Sequence, residues 1–203
     1  MVKIKDLGGL GEERHVLSLE EIRAQTEQCR KCPLCDGRTK IVFGSGNPDA
    51  KVFIIGEAPG KNEDQQGMPF VGAAGKYLSE LLGYAGLTRD EVYIANVLKC
   101  RPPSNRDPKA DEILACADYL RAQVRAVNPD IIVTLGNFAI KFILKTDEGI
   151  TSLRGTVQFA GRFMVFPVFH PAAAIYDRSK REVLAQDFAL LGEMLKQRSD
   201  ADA

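Results

Sequence analysis

Three short stretches hold residues whose types and spacing can do chemistry. The first is GEAPGKNEDQQGMPFVG, Gly56 to Gly72. Glycine loops that follow strands often cradle phosphates, yet Glu57, Glu63 and Asp64 would repel one. Lys61 is not followed by a hydroxyl residue, and no dinucleotide fingerprint is present, so a nucleoside triphosphate site is not expected. Phe70 is either a core ring or, at the rim of a cleft, a face for stacking on a flat ring. The second stretch, NVLKCRPPSNR, begins with Asn96 at the end of an apolar run; a buried strand amide is either a structural bridge or a reader of ligand edges. The third, FHPAAA, carries His170, one of two histidines; the other, His15, lies near the N-terminus. A lone histidine at a strand end can serve as structure or as a proton donor.

The five cysteines suggest a second kind of chemistry: Cys29, Cys32 and Cys35 in CRKCPLC, then Cys100 and Cys116. Clustered thiols in a reducing compartment point to metal or redox chemistry rather than disulfides. Two thiolate pairs suit zinc or an iron–sulfur cluster. The wide spacing of the second pair favours iron–sulfur over a ribbon of two tight knuckles. Five thiols for four places leaves the ligand set open. Cys35 fits least well, because Cys29 and Cys32 already form a pair.

These stretches must be positioned by regular elements. Ser18, with Glu21 three residues on, predicts a capped helix running into the cysteines. KVFIIG, VYIANVL, DIIVTLG and RFMVFPVFH read as strands, with Pro167 favouring an edge or strand-end position in the last. AGKYLSELLGYAGL, the segment from Pro108 to about Val127, NFAIKFILK and KREVLAQDFALLGEMLKQ read as helices. Strands alternating with helices predict an α/β fold with a parallel sheet covered on both faces. Loops at the carboxyl ends of such strands carry function, and all three stretches fall there.

The whole chain bounds the possibilities. Its 203 residues fit one domain, expected over 18–197, between an N-terminal arm over 1–17 and a C-terminal tail over 198–203. With 45% hydrophobic residues it can build a full core. The formal net charge is +0, so any nucleic-acid binding rests on a local basic patch. No apolar run is long enough to cross a bilayer, and the first residues lack the apolar core of a signal peptide. The expectation is a cytoplasmic protein with no membrane partner.

GEAPGKNEDQQGMPFVG, NVLKCRPPSNR and FHPAAA, together with four of the cysteines, closely resemble the family 4 uracil-DNA glycosylases. These are bacterial and archaeal base-excision repair enzymes with a 4Fe–4S cluster. The match extends from about Cys29 to the final helix. The resemblance implies a three-layer α/β/α sandwich around a four-stranded parallel sheet. It implies cluster ligands at Cys29, Cys32, Cys100 and Cys116, which leaves Cys35 outside the set. It implies a monomer acting on uracil-containing DNA by hydrolysing the bond between uracil and deoxyribose.

The family also implies roles. His170 would hydrogen-bond uracil O2 as negative charge develops there. Glu57 would position water or face the oxocarbenium-like sugar, and the backbone at Gly56, Glu57 and Ala58 would line the pocket. Asn96 would read uracil N3–H and O4, Phe70 would stack on the ring, and Glu63 would exclude the thymine methyl or fix its loop. In family 1 enzymes an Asp activates water from this loop; Ala58 stands in that place here, so that mechanism does not transfer simply. From the residues, Gly44–Pro48 and Leu135–Ala139 offer amides for phosphates or are ordinary turns and a helix start, and Arg101, Arg106, Arg178, Lys180 and Arg181 form a local basic rim or solvated surface. Ile175 would fill the gap left by the flipped base. A branch of the superfamily that links covalently to DNA uses an extra histidine after the second strand, and RPPSNRDPKAD has none.

Overall fold

The structure, a computed structural model, describes residues 16–201. Most of the expected N-terminal arm, His15 included, lies outside the described residues, as do positions 202–203 of the expected tail. Six strands form one sheet: β1 (Ser45–Gly46), β2 (Val52–Gly56), β3 (Val92–Asn96), β4 (Ile131–Leu135), β5 (Gln158–Ala160) and β6 (Phe163–Val168). Their order is β1-β3-β2-β4-β6-β5. The four inner strands are parallel, as expected, and β1 and β5 close the two edges antiparallel. The sheet therefore has six strands rather than four. The edge strands are only two and three residues long and part exposed, so they carry no apolar alternation to reveal them.

The strands are apolar on both faces because helices cover both. Val52 and Ile54 of β2 join one core with Leu78, Leu81, Leu82, Leu184, Phe188 and Leu191. Phe53 and Ile55, one residue out of phase, join the other with Leu120, Val124, Val127 and Ala139. The first core is supplied by α4 (Ala73–Tyr84) and α9 (Ser179–Ala201), the second by α5 (Ala110–Val127) and α6 (Gly136–Leu144). Short helices α2 (Leu34–Gly37), α3 (Lys61–Gln66), α7 (Ile150–Leu153) and α8 (Ala173–Tyr176) sit in the connections.

Local signals set several boundaries. The first helix, α1 (Leu19–Glu27), starts at a full capping box: Ser18 Oγ accepts the Glu21 amide at 3.2 Å and Glu21 Oε2 accepts the Ser18 amide at 2.8 Å. Pro167 lies in β6 beyond the reach of β5, which pairs only with Phe163–Val165, so its missing N–H breaks no ladder bond on that side. The closing helix runs to Ala201, taking in the first residues of the expected tail. Among the described residues, no helix is long and apolar enough to cross a membrane.

Candidate active site and cysteine centre

Gly56 and Asn96 end adjacent parallel strands and stand in register. A Cβ on Gly56 would lie 2.4 Å from Asn96 Oδ1 and 2.6 Å from Phe70 Cζ, so glycine is what lets the amide and the ring converge. Asn96 is only 2% exposed, and its Oδ1 is buried with no hydrogen-bond partner. A buried acceptor left unpaired costs about 1–3 kcal/mol, which points to a donor supplied from outside the protein.

Phe70 reaches this corner through an unusual backbone. The acidic loop is not all loop: Lys61–Gln66 wind into α3, ended by left-handed Gly67. Phe70 then takes φ 53°, a left-handed conformation that costs an aromatic residue roughly 1–3 kcal/mol. Glu63 Oε1 helps hold it, accepting the amides of Val71 at 3.0 Å and Gly72 at 2.8 Å. A Cβ on Gly75 would sit 1.8 Å from the Phe70 carbonyl oxygen, so α4 can begin this close only through glycine.

His170 follows β6 and packs on Phe70, with ring centroids 5.7 Å apart and planes 29° from parallel. Burial pushes its pKa down to about 4, against a smaller opposing pull from Glu63. Its Nδ1 accepts the Ala172 amide at 3.1 Å. A neutral imidazole whose Nδ1 accepts must carry its hydrogen on Nε2, so His170 offers one N–H donor. Glu57, just after β2, is half-buried. Burial first, then the nearby charge of Asp107, push its pKa up to about 7. Glu57, Asn96, Phe70 and His170 thus sit at one edge of the sheet, at the carboxyl ends of β2, β3 and β6.

The cysteines gather on the neighbouring side of the same strand ends. All five line one cavity, along with Arg38, Lys99 and Tyr119. Among the described residues, no group of three His, Cys, Asp or Glu side chains is arranged to hold a metal ion. Arg38 Nη1 donates to the Cys29 carbonyl at 2.9 Å and lies 3.5 Å from Cys100 Sγ. Lys99 is 1% exposed, and its Nζ donates to the Asn96 carbonyl at 2.8 Å. No carboxylate is ion-paired with it among the described residues. Burial pushes the Lys99 pKa down to about 7, so an anionic group in that cavity would favour its charged form. Ala58 packs against the apolar cluster around Leu34, Leu98, Cys100 and Cys116, so its side chain belongs to the cysteine side.

Other expected contacts divide. Asn47 and Pro48 lie at the opposite end of the sheet, where the Asn47 amide meets the Val92 carbonyl at 3.0 Å, away from the pocket corner. Gly136 begins α6 beside His170, a Cβ there falling 3.2 Å from His170 Cβ. Arg106 is consumed in a bidentate pair with buried Glu112 at 2.9 and 2.5 Å, and Lys180 pairs with Asp177 at 2.8 Å. Arg178 and Arg181 are exposed. Ile175 is 43% exposed on α8, next to Tyr176 at 90%. Sequence reading missed Tyr176, Asp107 and Lys99. Lys99 had a signal: it falls inside NVLKC, between a strand end and a cysteine.

A model of the uracil DNA glycosylase superfamily matches residues 43–192. The chain is 46% identical over 187 residues to the type-4 uracil-DNA glycosylase of Sulfurisphaera tokodaii, spanning 87% of this chain and 84% of that protein. It is 41% identical over 182 residues to the type-4 uracil-DNA glycosylase of Thermotoga maritima, spanning 88% and 95%. Similarity to the type-5 uracil-DNA glycosylase of Pyrobaculum aerophilum is lower, 33% over 144 residues, spanning 63% of each.

Proposed function

This chain belongs to the uracil DNA glycosylase superfamily, and from that premise we propose that it hydrolyses the bond between uracil and deoxyribose in DNA, leaving an abasic site for base-excision repair. The observation that carries the reading is the buried, unpaired Asn96 Oδ1 beside the Phe70 ring. Uracil supplies what that corner lacks: an N3–H for Oδ1, an O4 acceptor for the amide nitrogen, and a flat face for Phe70. Cytosine presents the opposite pattern and would leave polar groups unpaired, which a buried site rejects strongly.

Such an enzyme takes the base out of the stack before acting on it. As the C1′–N1 bond breaks, its electron pair passes to uracil and positive charge builds on the sugar. His170 donates Nε2–H toward O2, where the uracil anion gathers charge; a neutral donor fixed in place needs no reorganisation. Glu57 as carboxylate faces the cationic sugar and orients the water whose oxygen bonds C1′. The water proton passes to that carboxylate, for which a pKa near 7 is well matched. Glu63 fixes the loop that carries Phe70, and so shapes the wall beside the base, including its tolerance of a thymine methyl.

The cysteine centre fits a 4Fe–4S cluster held by Cys29, Cys32, Cys100 and Cys116. The four thiols line one cavity, and thiolates are the ligands such a cluster would take. When bound, the cluster supplies a rigid tie between α1, the β3 exit and α5. Lys99 shares that exit with Asn96. The protein acts in the cytoplasm, as a monomer whose exposed arginines meet the DNA backbone locally.

Excision of uracil from an oligonucleotide, followed by alkaline cleavage at the abasic site, tests the reading. Strand breaks confined to uracil are expected. Absence of breaks with cluster-loaded protein overturns it, and a protein–DNA adduct that survives denaturation would assign the chain to the covalent branch.

A further inference from the structure

Phe70 has to hold a conformation that its own backbone disfavours, with φ 53°. Glu63 restrains the chain just after it, through the Val71 and Gly72 amides. The chain just before it is held by Arg89, from the turn that leads into β3. Arg89 Nη2 donates to the Pro69 carbonyl at 3.0 Å and Nη1 to the Phe70 carbonyl at 3.2 Å. One planar fork thus spans two consecutive carbonyls, which fixes the peptide between them. The guanidinium is half-buried, and among the described residues no carboxylate is ion-paired with it. Its hydrogen-bonding capacity on this side is spent on backbone, at a residue whose side chain faces the pocket corner.

We propose that Arg89 is a positioning residue for base recognition: it clamps the Pro69–Phe70 carbonyls so that the Phe70 ring stays beside Asn96 and His170. The inference rests on the reading of Phe70 as the face on which uracil stacks. The Arg89 guanidinium on the Pro69 and Phe70 carbonyls and the Glu63 carboxylate on the Val71 and Gly72 amides form a clamp of opposite charges on the backbone around Phe70. Lysine cannot replace Arg89 fully, because a single ammonium does not present two parallel donors.

The test is a double-mutant cycle on cluster-loaded protein, with Arg89→Met, Phe70→Ala and the pair. KM and kcat are read on a uracil oligonucleotide, and free uracil is used as an inhibitor. Arg89→Met is expected to raise KM and the uracil inhibition constant by roughly tenfold, through loss of the charge-assisted fork, with a smaller change in kcat. Arg89→Lys recovers part of that loss. In the Phe70→Ala background, Arg89→Met adds less than about twofold, because both act through one ring. Multiplying effects of the two substitutions overturn the proposal while leaving the stacking role intact. Unchanged KM and uracil inhibition in Phe70→Ala alone remove the stacking role, and the inference with it. If Arg89→Met does not fold, the cycle is run with Arg89→Gln, which keeps one donor; failure of both Arg89→Gln and Arg89→Lys to fold makes the residue architectural and overturns the proposal.

Discussion

The Phe70 ring lies against the His170 imidazole, centroids 5.7 Å apart. The aromatic face helps keep water from His170, whose burial pushes its pKa down to about 4 and leaves the imidazole neutral. On the proposed reading the same face stacks on uracil, so the contact would couple base binding to the protonation state of the donor.

With two histidines in the chain, His170 can be followed by imidazole NMR. It is expected to show the Nε2–H tautomer at neutral pH and to titrate near pH 4. Phe70→Ala should readmit water and move the titration up toward the ordinary 6.5. Because the folded pKa is depressed, the stability this group contributes is full above about 6.5 and lost as pH falls through about 4. A His170 that titrates normally in the unsubstituted protein would contradict the assignment.

Glu57 predicts an ascending limb in kcat/KM with an apparent pKa near 7, since only the carboxylate serves the cationic sugar. Neutral His170 adds no limb in that window. Glu57→Gln should abolish the limb and lower the rate by roughly 10²–10⁴-fold, the usual scale of acid–base assistance. The stability sign is opposite to that of His170. A raised carboxyl pKa favours the fold at low pH, and this contribution is lost as pH rises from 4.5 through about 7. An unchanged limb in Glu57→Gln would move the role to another group.

Asn96→Ala separates function from stability. Excision should fall by on the order of 10²-fold or more, because the substrate's polar edge loses its partner. The melting temperature should hold or rise, since the substitution removes a buried oxygen that has no partner in the free protein. A large loss of stability with excision retained would make Asn96 a structural bridge.

The cysteines make a chemical prediction. Purified protein should carry iron and acid-labile sulfide in equal amounts. Serine at Cys29, Cys32, Cys100 or Cys116 should lower both and reduce thermal stability, whereas Cys35→Ser should keep them. Stoichiometric zinc without sulfide, or loss of iron in Cys35→Ser, would contradict the ligand set.

Much of this was legible in the chain itself. The four parallel strands follow from short apolar runs that alternate with helical patterns, and the capping box from Ser18 and Glu21, because these signals are local. The placing of Glu57, Asn96 and His170 at strand ends follows from the same alternation. The roles expected of them came only from resemblance. Tertiary structure alone decided what each group meets: the unpaired oxygen of Asn96, the burial that holds Glu57 and His170 away from their ordinary pKa values, the strained Phe70 and the Arg89 fork that grips it. Those properties depend on contacts such as Arg89 with Phe70, 19 residues apart. Spacing along the chain fixes which residues share a strand or a helix face, but burial and pairing are set by the residues that the fold brings to them from elsewhere.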